Sequence, residues 1–303
     1  MEPHKIRRNL ILKKYPQIRQ LFGNDISVVP QIICVCCTQL YISYIVSITE
    51  MKIVYFIIVS YCIGGALSQN LFLANHELSH NLVFSKPLLN KILSIIVNIP
   101  FGIPYVTHFQ KYHIEHHLYQ GKEGIDMDLP STYEQNIVGN NKILKLLWVT
   151  FQLVAYAVRP MLLRPKRITR YDIIVTTIII ITDYLIIKFW SIKALLYLIT
   201  SGFLGGGFHP FAGHFISEHY VFKEGQETYS YYGSLNSFTY NVGYHNEHHD
   251  FPRIPGSRLR KVKEICPEYY ESLYSHKSWC YVIWEYITKL SPSSRIIRNQ
   301  PLQ

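Results

Sequence analysis

Three short stretches of this chain carry histidines at helical spacing. His76-Glu-Leu-Ser-His80 places two imidazoles one helical turn apart. His113-Ile-Glu-His-His117 and His245-Asn-Glu-His-His249 each place three at i, i+3 and i+4. On a helix those positions share nearly one face. Neutral imidazole is the commonest side-chain metal ligand, so each stretch supplies part of a metal shell. His214 and His219 add two further rings. Eight imidazoles exceed the four ligands usual for zinc, and no zinc-style third ligand is obvious beside His76 and His80. Two metals fit the count. Nitrogen-rich ligation with open positions points to iron and oxygen chemistry. Glu77, Glu115, Glu218, Glu247 and Asp250 sit within or beside these stretches. They are candidates to hold ring N–H groups from behind the ligands, with helix solubility as the plainer role. Asp126 and Asp128 follow the second stretch. They are candidates to bind a polar substrate head group or to orient histidines, against a role in a solvated loop.

Apolar runs must bring these stretches together. Residues 28–48 and 53–73 are uncharged, and about 20 such residues cross a bilayer core. Only a few residues around Glu50, Met51 and Lys52 separate the two, which makes a tight hairpin. Residues 173–190 and 194–212 form a second apolar pair, and His214 and His219 follow it. Asp183 lies inside the third run, where an acid is a functional candidate or an interfacial residue. Residues 87–105 are broken by Pro100, Gly102 and Pro104. Residues 144–158 are short and carry Trp148 and Gln152. Both are expected to be interfacial helices. The expected fold is an all-α membrane protein of four transmembrane helices in two hairpins, with a cytosolic helical cap holding a histidine-ligated di-metal site. The divisions are an N-terminal segment 1–27, a hairpin 28–73, cap 74–171, a hairpin 172–212 and cap 213–303.

Charge sets the orientation. Charged residues are 17% of the 303, below the roughly 25% of soluble domains. The net charge of +10 suits nucleic acid or an anionic membrane surface. The positions of the charges favour the membrane. Residues 1–27 hold six Lys and Arg, 76–171 eleven and 214–303 ten, whereas the two short turns hold only Lys52, Lys188 and Lys193. Positive charge marks the cytosolic side, so every histidine stretch is expected there. The polar, basic residues 1–27 are not a secretory signal, and Glu2 in place of Gly excludes N-myristoylation. Six cysteines, four of them in apolar runs, show neither a zinc-ribbon spacing nor a disulfide framework.

These stretches and the phrases around them resemble the membrane fatty-acid desaturase superfamily, and within it the sphingolipid Δ4-desaturases. The likeness is carried by the three histidine boxes, by Gly213-His-Phe-Ile-Ser-Glu-His-Tyr220 and by Asn241 to Gly256. Lys14-Tyr-Pro-Gln-Ile18 and Gly225-Gln-Glu-Thr-Tyr-Ser-Tyr-Tyr-Gly233 also carry it. The resemblance covers roughly residues 10–298. It implies a mushroom-shaped endoplasmic reticulum membrane protein whose box histidines and His219 ligate two iron ions. His214, whose spacing differs, is a further candidate. It implies oxidation of dihydroceramide by O2 to ceramide with a trans 4,5 double bond. With no His-Pro-Gly-Gly haem segment in the chain, electrons are expected from NADH through a separate cytochrome b5 and its reductase. An acidic donor suits the basic face. C4-hydroxylation to phytoceramide is the alternative outcome, and nothing in the sequence separates the two. A histidine-rich metal transporter would need polar ligands inside the spans, which carry chiefly Gln39, Gln69, Asn70 and Asp183.

Overall fold

The computed structural model describes residues 3–295, 297 and 298; Glu2 lies outside them. The chain is mostly helical. A short helix α1 (Pro3–Lys14) precedes two long apolar helices, α2 (Ile26–Ile48) and α3 (Ile53–Ser79). Both are long and apolar enough to cross a membrane. α3 runs past the expected end at Leu73, so His76 stands in its last turn. At 27 residues it is about 40 Å long. Their outward side chains are apolar, with Ile53 74% and Ile58 50% exposed. A contiguous apolar surface of this kind belongs in lipid.

Inside the bundle several polar side chains pair with one another, which lowers their cost in hydrocarbon. Gln39 donates to Ser68 Oγ at 3.2 Å, and Tyr197 OH donates to Gln39 Oε1 at 3.3 Å. A π-helical turn, Ser60–Gly65, interrupts α3 where a later helix comes closest. A Cβ on Gly205 would stand 2.5 Å from the Gly65 carbonyl oxygen. Only small residues permit that approach.

The broken segment after the first box folds as α4 (Pro87–Asn98), a 3-10 turn and α5 (Val106–Tyr119), with a bend of 118° between them. Asn98 holds the bend. Its Oδ1 accepts from Tyr105 N at 3.0 Å and Val106 N at 3.2 Å, and its Nδ2 donates to Ile103 O at 2.7 Å. The bend turns α5 under the bundle and brings the second box beneath the first. After α6 (Thr132–Val138), α7 (Lys142–Leu163) is longer than the expected interfacial helix. By length and composition it qualifies as a span. Asn141 caps it, accepting from Ile143 N and Leu144 N, and the helix continues through Pro160.

The second apolar pair is shorter and more charged than the first. α8 (Arg170–Phe189) includes Arg170, Asp172, Asp183 and Lys188. α9 (Ile192–Gly205) has only 14 residues. The apolar run continues beyond Gly205, but the helix does not: glycines weaken it and Pro210 removes a donor. Three described helices therefore meet the limits for a span, α2, α3 and α7, with the bent pair α4–α5 as a fourth if it counts as one. The two short turns lie together: Lys193 Nζ donates to Thr49 O, and the Tyr44 and Trp190 rings are 5.7 Å apart. They stand at the end of α3 remote from His76.

The remaining chain packs against the opposite end. It comprises α10 (His214–Ser217), a two-residue parallel pair β1 (Ser230–Tyr231) and β2 (Ser275–His276), α11 (His245–Asp250), α12 (Gly256–Ile265) and α13 (Trp279–Thr288). Ile11 and Ile18 bury against Phe251, Ile254, Leu259 and Val262, which fastens the N-terminal segment onto the third box.

Candidate metal centre

The histidines of all three boxes meet. α3 delivers His76, and His80 follows its end; α5 delivers His113, His116 and His117; α11 delivers His245, His248 and His249. Ligand atoms of His76, His80, His113, His117 and His248 all lie within 4.8 Å of one another. Those of His116, His219 and His249 form a second such group. His245 joins the second group through His219, Nε2 to Nε2 at 3.0 Å. The two groups touch where the His117 and His249 rings stack at 4.3 Å.

Hydrogen bonding alone does not account for this packing. A neutral imidazole carries one N–H and one lone pair, so five rings whose nitrogens converge cannot all pair with one another. His76 Nε2 and His249 Nε2 are buried without a hydrogen-bond partner. Buried lone pairs gathered in this way are costly unless a cation fills the centre, and an all-imidazole donor set suits a transition metal such as zinc, copper, iron or nickel. The rings are prepared for that role. Burial, followed by the neighbouring imidazoles, holds His80, His219, His248 and His249 well below the usual imidazole range. Burial likewise pushes His245 down to about 3 against the upward pull of Glu218. At neutral pH all five keep their lone pairs.

Acids set the outer faces of some rings. Asp126 is buried, and His116 Nδ1 donates to its Oδ1 at 3.0 Å. Burial raises this carboxyl, but His116 outweighs it and leaves Asp126 below its ordinary range. Asp126 also accepts from Gly121 N at 2.7 Å and Asp128 N at 3.0 Å. Its contact with Nδ1 fixes which way the His116 ring faces. Asp128 stands 3.5 Å from His116 Nδ1, and its carbonyl accepts from Arg295. Glu218 accepts from His214 Nδ1 at 3.2 Å and lies 3.7 Å from His245 Nδ1. Burial would raise Glu218, yet His245 and His214 bring it down to about 2.

Other expected residues work elsewhere. Glu115 points away from the rings, to Arg164 at 3.0 Å and Lys166 at 2.9 Å. Glu77 is 3.9 Å from His76 Nδ1, too far for a hydrogen bond; its Oε2 accepts from Gly256 N at 3.0 Å. That bond ties the first box to the segment after the third. Glu247 accepts from Ser230 Oγ and Tyr232 OH, both at 2.7 Å, and burial lifts it to about 6. Asp250 accepts from His4, Arg7 and Tyr270. His214 belongs to neither group: its nitrogens face Glu218 and Gln69. Gln120, which sequence reasoning missed, meets His219 Nδ1 at 3.3 Å.

The backbone entering α11 is unusual. Tyr240 and Asn241 both have positive φ, 52° and 58°. Non-glycine residues rarely adopt that region, and those that do concentrate at functional sites. Buried Asn236 holds the loop, accepting from Gly243 N at 2.9 Å and donating to Tyr231 O at 2.7 Å. A cavity of about 450 Å³ lies among Thr107, His108, Lys111, Tyr112 and Ile173; none of the grouped histidines lines it.

Known proteins resemble this chain along nearly its whole length. The family described as fatty acid desaturase matches residues 53–279, and the one described as sphingolipid Delta4-desaturase matches residues 1–27. A rice protein named sphingolipid delta(4)-desaturase DES1-like is 51% identical over 302 residues, 99% of this chain and 91% of its own length. The Drosophila melanogaster sphingolipid delta(4)-desaturase DES1 is 46% identical over 99% of this chain and 94% of its own. A human protein named sphingolipid delta(4)-desaturase/C4-monooxygenase DES2 is 40% identical over 98% and 92%.

Proposed function

We propose that this chain, which belongs to the fatty acid desaturase family, is a sphingolipid Δ4-desaturase, an oxidoreductase that introduces a trans 4,5 double bond into dihydroceramide to give ceramide. The observation that carries this reading is near end-to-end identity with named Δ4-desaturases, joined to two histidine groups at the head of an apolar bundle.

On this reading His76, His80, His113, His117 and His248 hold one iron, and His116, His219, His245 and His249 hold the other. Bound iron supplies the activation of O2 and the removal of hydrogen from the sphingoid chain. The protein supplies placement. Asp126 and Gln120 fix the rings of His116 and His219. Glu247, through Ser230 and Tyr232, fixes the helix bearing three of the ligands. Burial of the rings keeps water from competing for the site.

The basic distribution of Lys and Arg, with the two short turns together at the far end, supports a multi-pass protein with two membrane hairpins and its histidine cap in the cytosol; the endoplasmic reticulum is the membrane this reading assigns it to. The net charge of +10 supports an acidic electron donor, cytochrome b5 with its NADH-dependent reductase. C4-hydroxylation is the second reading, favoured by the likeness to a desaturase/C4-monooxygenase. One experiment tests both: expression in a desaturase-null cell with added dihydroceramide, followed by lipid mass spectrometry. Ceramide supports the first reading, phytoceramide the second, and turnover of neither sinks both.

A further inference from the structure

The N-terminal segment is more than a tail. α1 carries His4, which is only 5% exposed. Its Nδ1 lies 2.7 Å from Asp250 Oδ1 and its Nε2 lies 2.8 Å from Thr228 Oγ1. Thr228 Oγ1 in turn accepts from Gln120 Nε2 at 3.1 Å, and the same amide meets His219 Nδ1 at 3.3 Å. Thr228, Gln120 and Asp250 are all buried. A continuous polar chain therefore runs from α1 to His219. The His4 ring also lies 5.1 Å from that of His249.

A second connection runs through the third box. Asp250 ends α11, a helix of six residues. A carboxylate at a helix C-terminus is unfavourable, because it faces the negative end of the helix dipole. Arg7 offsets it, with Nε at 2.6 Å and Nη2 at 2.9 Å from the carboxylate, and Tyr270 OH donates at 2.8 Å. Arg7 and His4 thus clamp the end of the helix that bears His245, His248 and His249.

We infer that α1 is a working part of the second histidine group, in which His4 is a positioning residue that fixes His219 through Thr228 and Gln120 and fixes His249 through Asp250. The inference rests on the metal reading of the two groups. It gives the segment that matches the sphingolipid Delta4-desaturase family a role at the reaction centre. The role of Gln120 follows from its chemistry. Its Nε2 faces His219 Nδ1 while its Oε1 is buried without a partner. With the amide oxygen and nitrogen exchanged, a swap that leaves the side-chain outline unchanged, the oxygen accepts the ring Nδ1–H and leaves the His219 Nε2 lone pair for a metal.

The test uses the full-length purified protein and measures iron by mass spectrometry and by Mössbauer spectra of 57Fe-loaded samples. Wild type is expected to hold one iron per histidine group. His4→Ala and Thr228→Val are expected to weaken iron at the second group about 10–100-fold, so that iron per chain falls by about half and one spectral component is lost. His4→Asn, which keeps a donor toward Asp250, is expected to recover part of the loss. Thr228→Val leaves the contacts of Arg7 and His4 with Asp250 in place and serves if His4→Ala fails to fold. Wild type without iron defeats the metal reading itself. Wild type with iron in both groups, but with both variants matching it in affinity and spectrum, overturns the inference alone. Equal loss from both groups also overturns it, since a general folding defect would do that.

Discussion

His248 of the third box and His117 of the second, 131 residues apart in the chain, face each other Nε2 to Nε2 at 3.1 Å. Neither ring can complete a ligand shell alone. Their approach depends on the bend at Asn98, which turns α5 beneath α3, and on the strained loop at Tyr240 and Asn241, which aims α11 at the same point.

His248→Ala removes one of the five converging rings and leaves the others without their common centre. Conversion of dihydroceramide should fall at least 100-fold and iron per chain by about half, since loss of a direct ligand is costlier than loss of its 10–100-fold supporting contacts. Product mass spectrometry and metal analysis measure the two. Wild-type turnover with wild-type iron would remove His248 from the ligand set.

Asp126→Leu should weaken iron at the second histidine group about 10–100-fold by releasing His116 Nδ1. Asp126→Asn should be milder, because an amide oxygen still accepts the ring N–H. Titration with ferrous iron separates the two variants, and equal affinity for both would show that Asp126 does not orient the ring.

Glu134 accepts from Arg159 Nε and Nη2, both at 2.6 Å. Burial raises this carboxyl, but the guanidinium prevails and brings it down from 4.5 to about 2. A depressed carboxyl stabilises the fold fully above its unfolded value and loses that contribution as pH falls toward its folded value. The window is therefore about pH 4.5 to 2. Thermal midpoints of wild type and Glu134→Gln, compared across it, should converge as the pH is lowered. A constant gap would rule the pair out as a source of acid sensitivity.

Gly205→Ala should lower stability by about 1–3 kcal/mol, the usual cost of overfilling a packed interface. The new methyl would meet the Gly65 carbonyl oxygen at 2.5 Å. Thermal unfolding in detergent measures it, and an unchanged midpoint would mean that the two helices separate freely.

The grouping of the box histidines was largely legible because their spacing follows the helical period. His113, His116 and His117 had to share a face, and they do. The same geometry could have excluded Glu115, which lies about 200° around the helix from His113 and reaches Arg164 and Lys166 instead. Glu247 lies on the back of α11 for the same reason and supports the helix through Tyr232. His4 and Gln120 gave no signal, because a single polar residue has no period and their contacts span 246 and 99 positions. The first pair of long apolar helices was plain from two uncharged runs. The limits of α9 and α7 were not: Gly205 ends a run that stays apolar, whereas Pro160 fails to end one.

His116 and His117 are adjacent in sequence yet belong to different groups, and each group also draws a ring from residues 245–249. Neither cage is therefore owned by a contiguous length of polypeptide. During synthesis the first two boxes emerge long before the third, so the nascent chain has no complete cage to trap a metal until nearly the whole protein has been made. On the metal reading, the full set of rings in either group comes together only once the third box has folded into place.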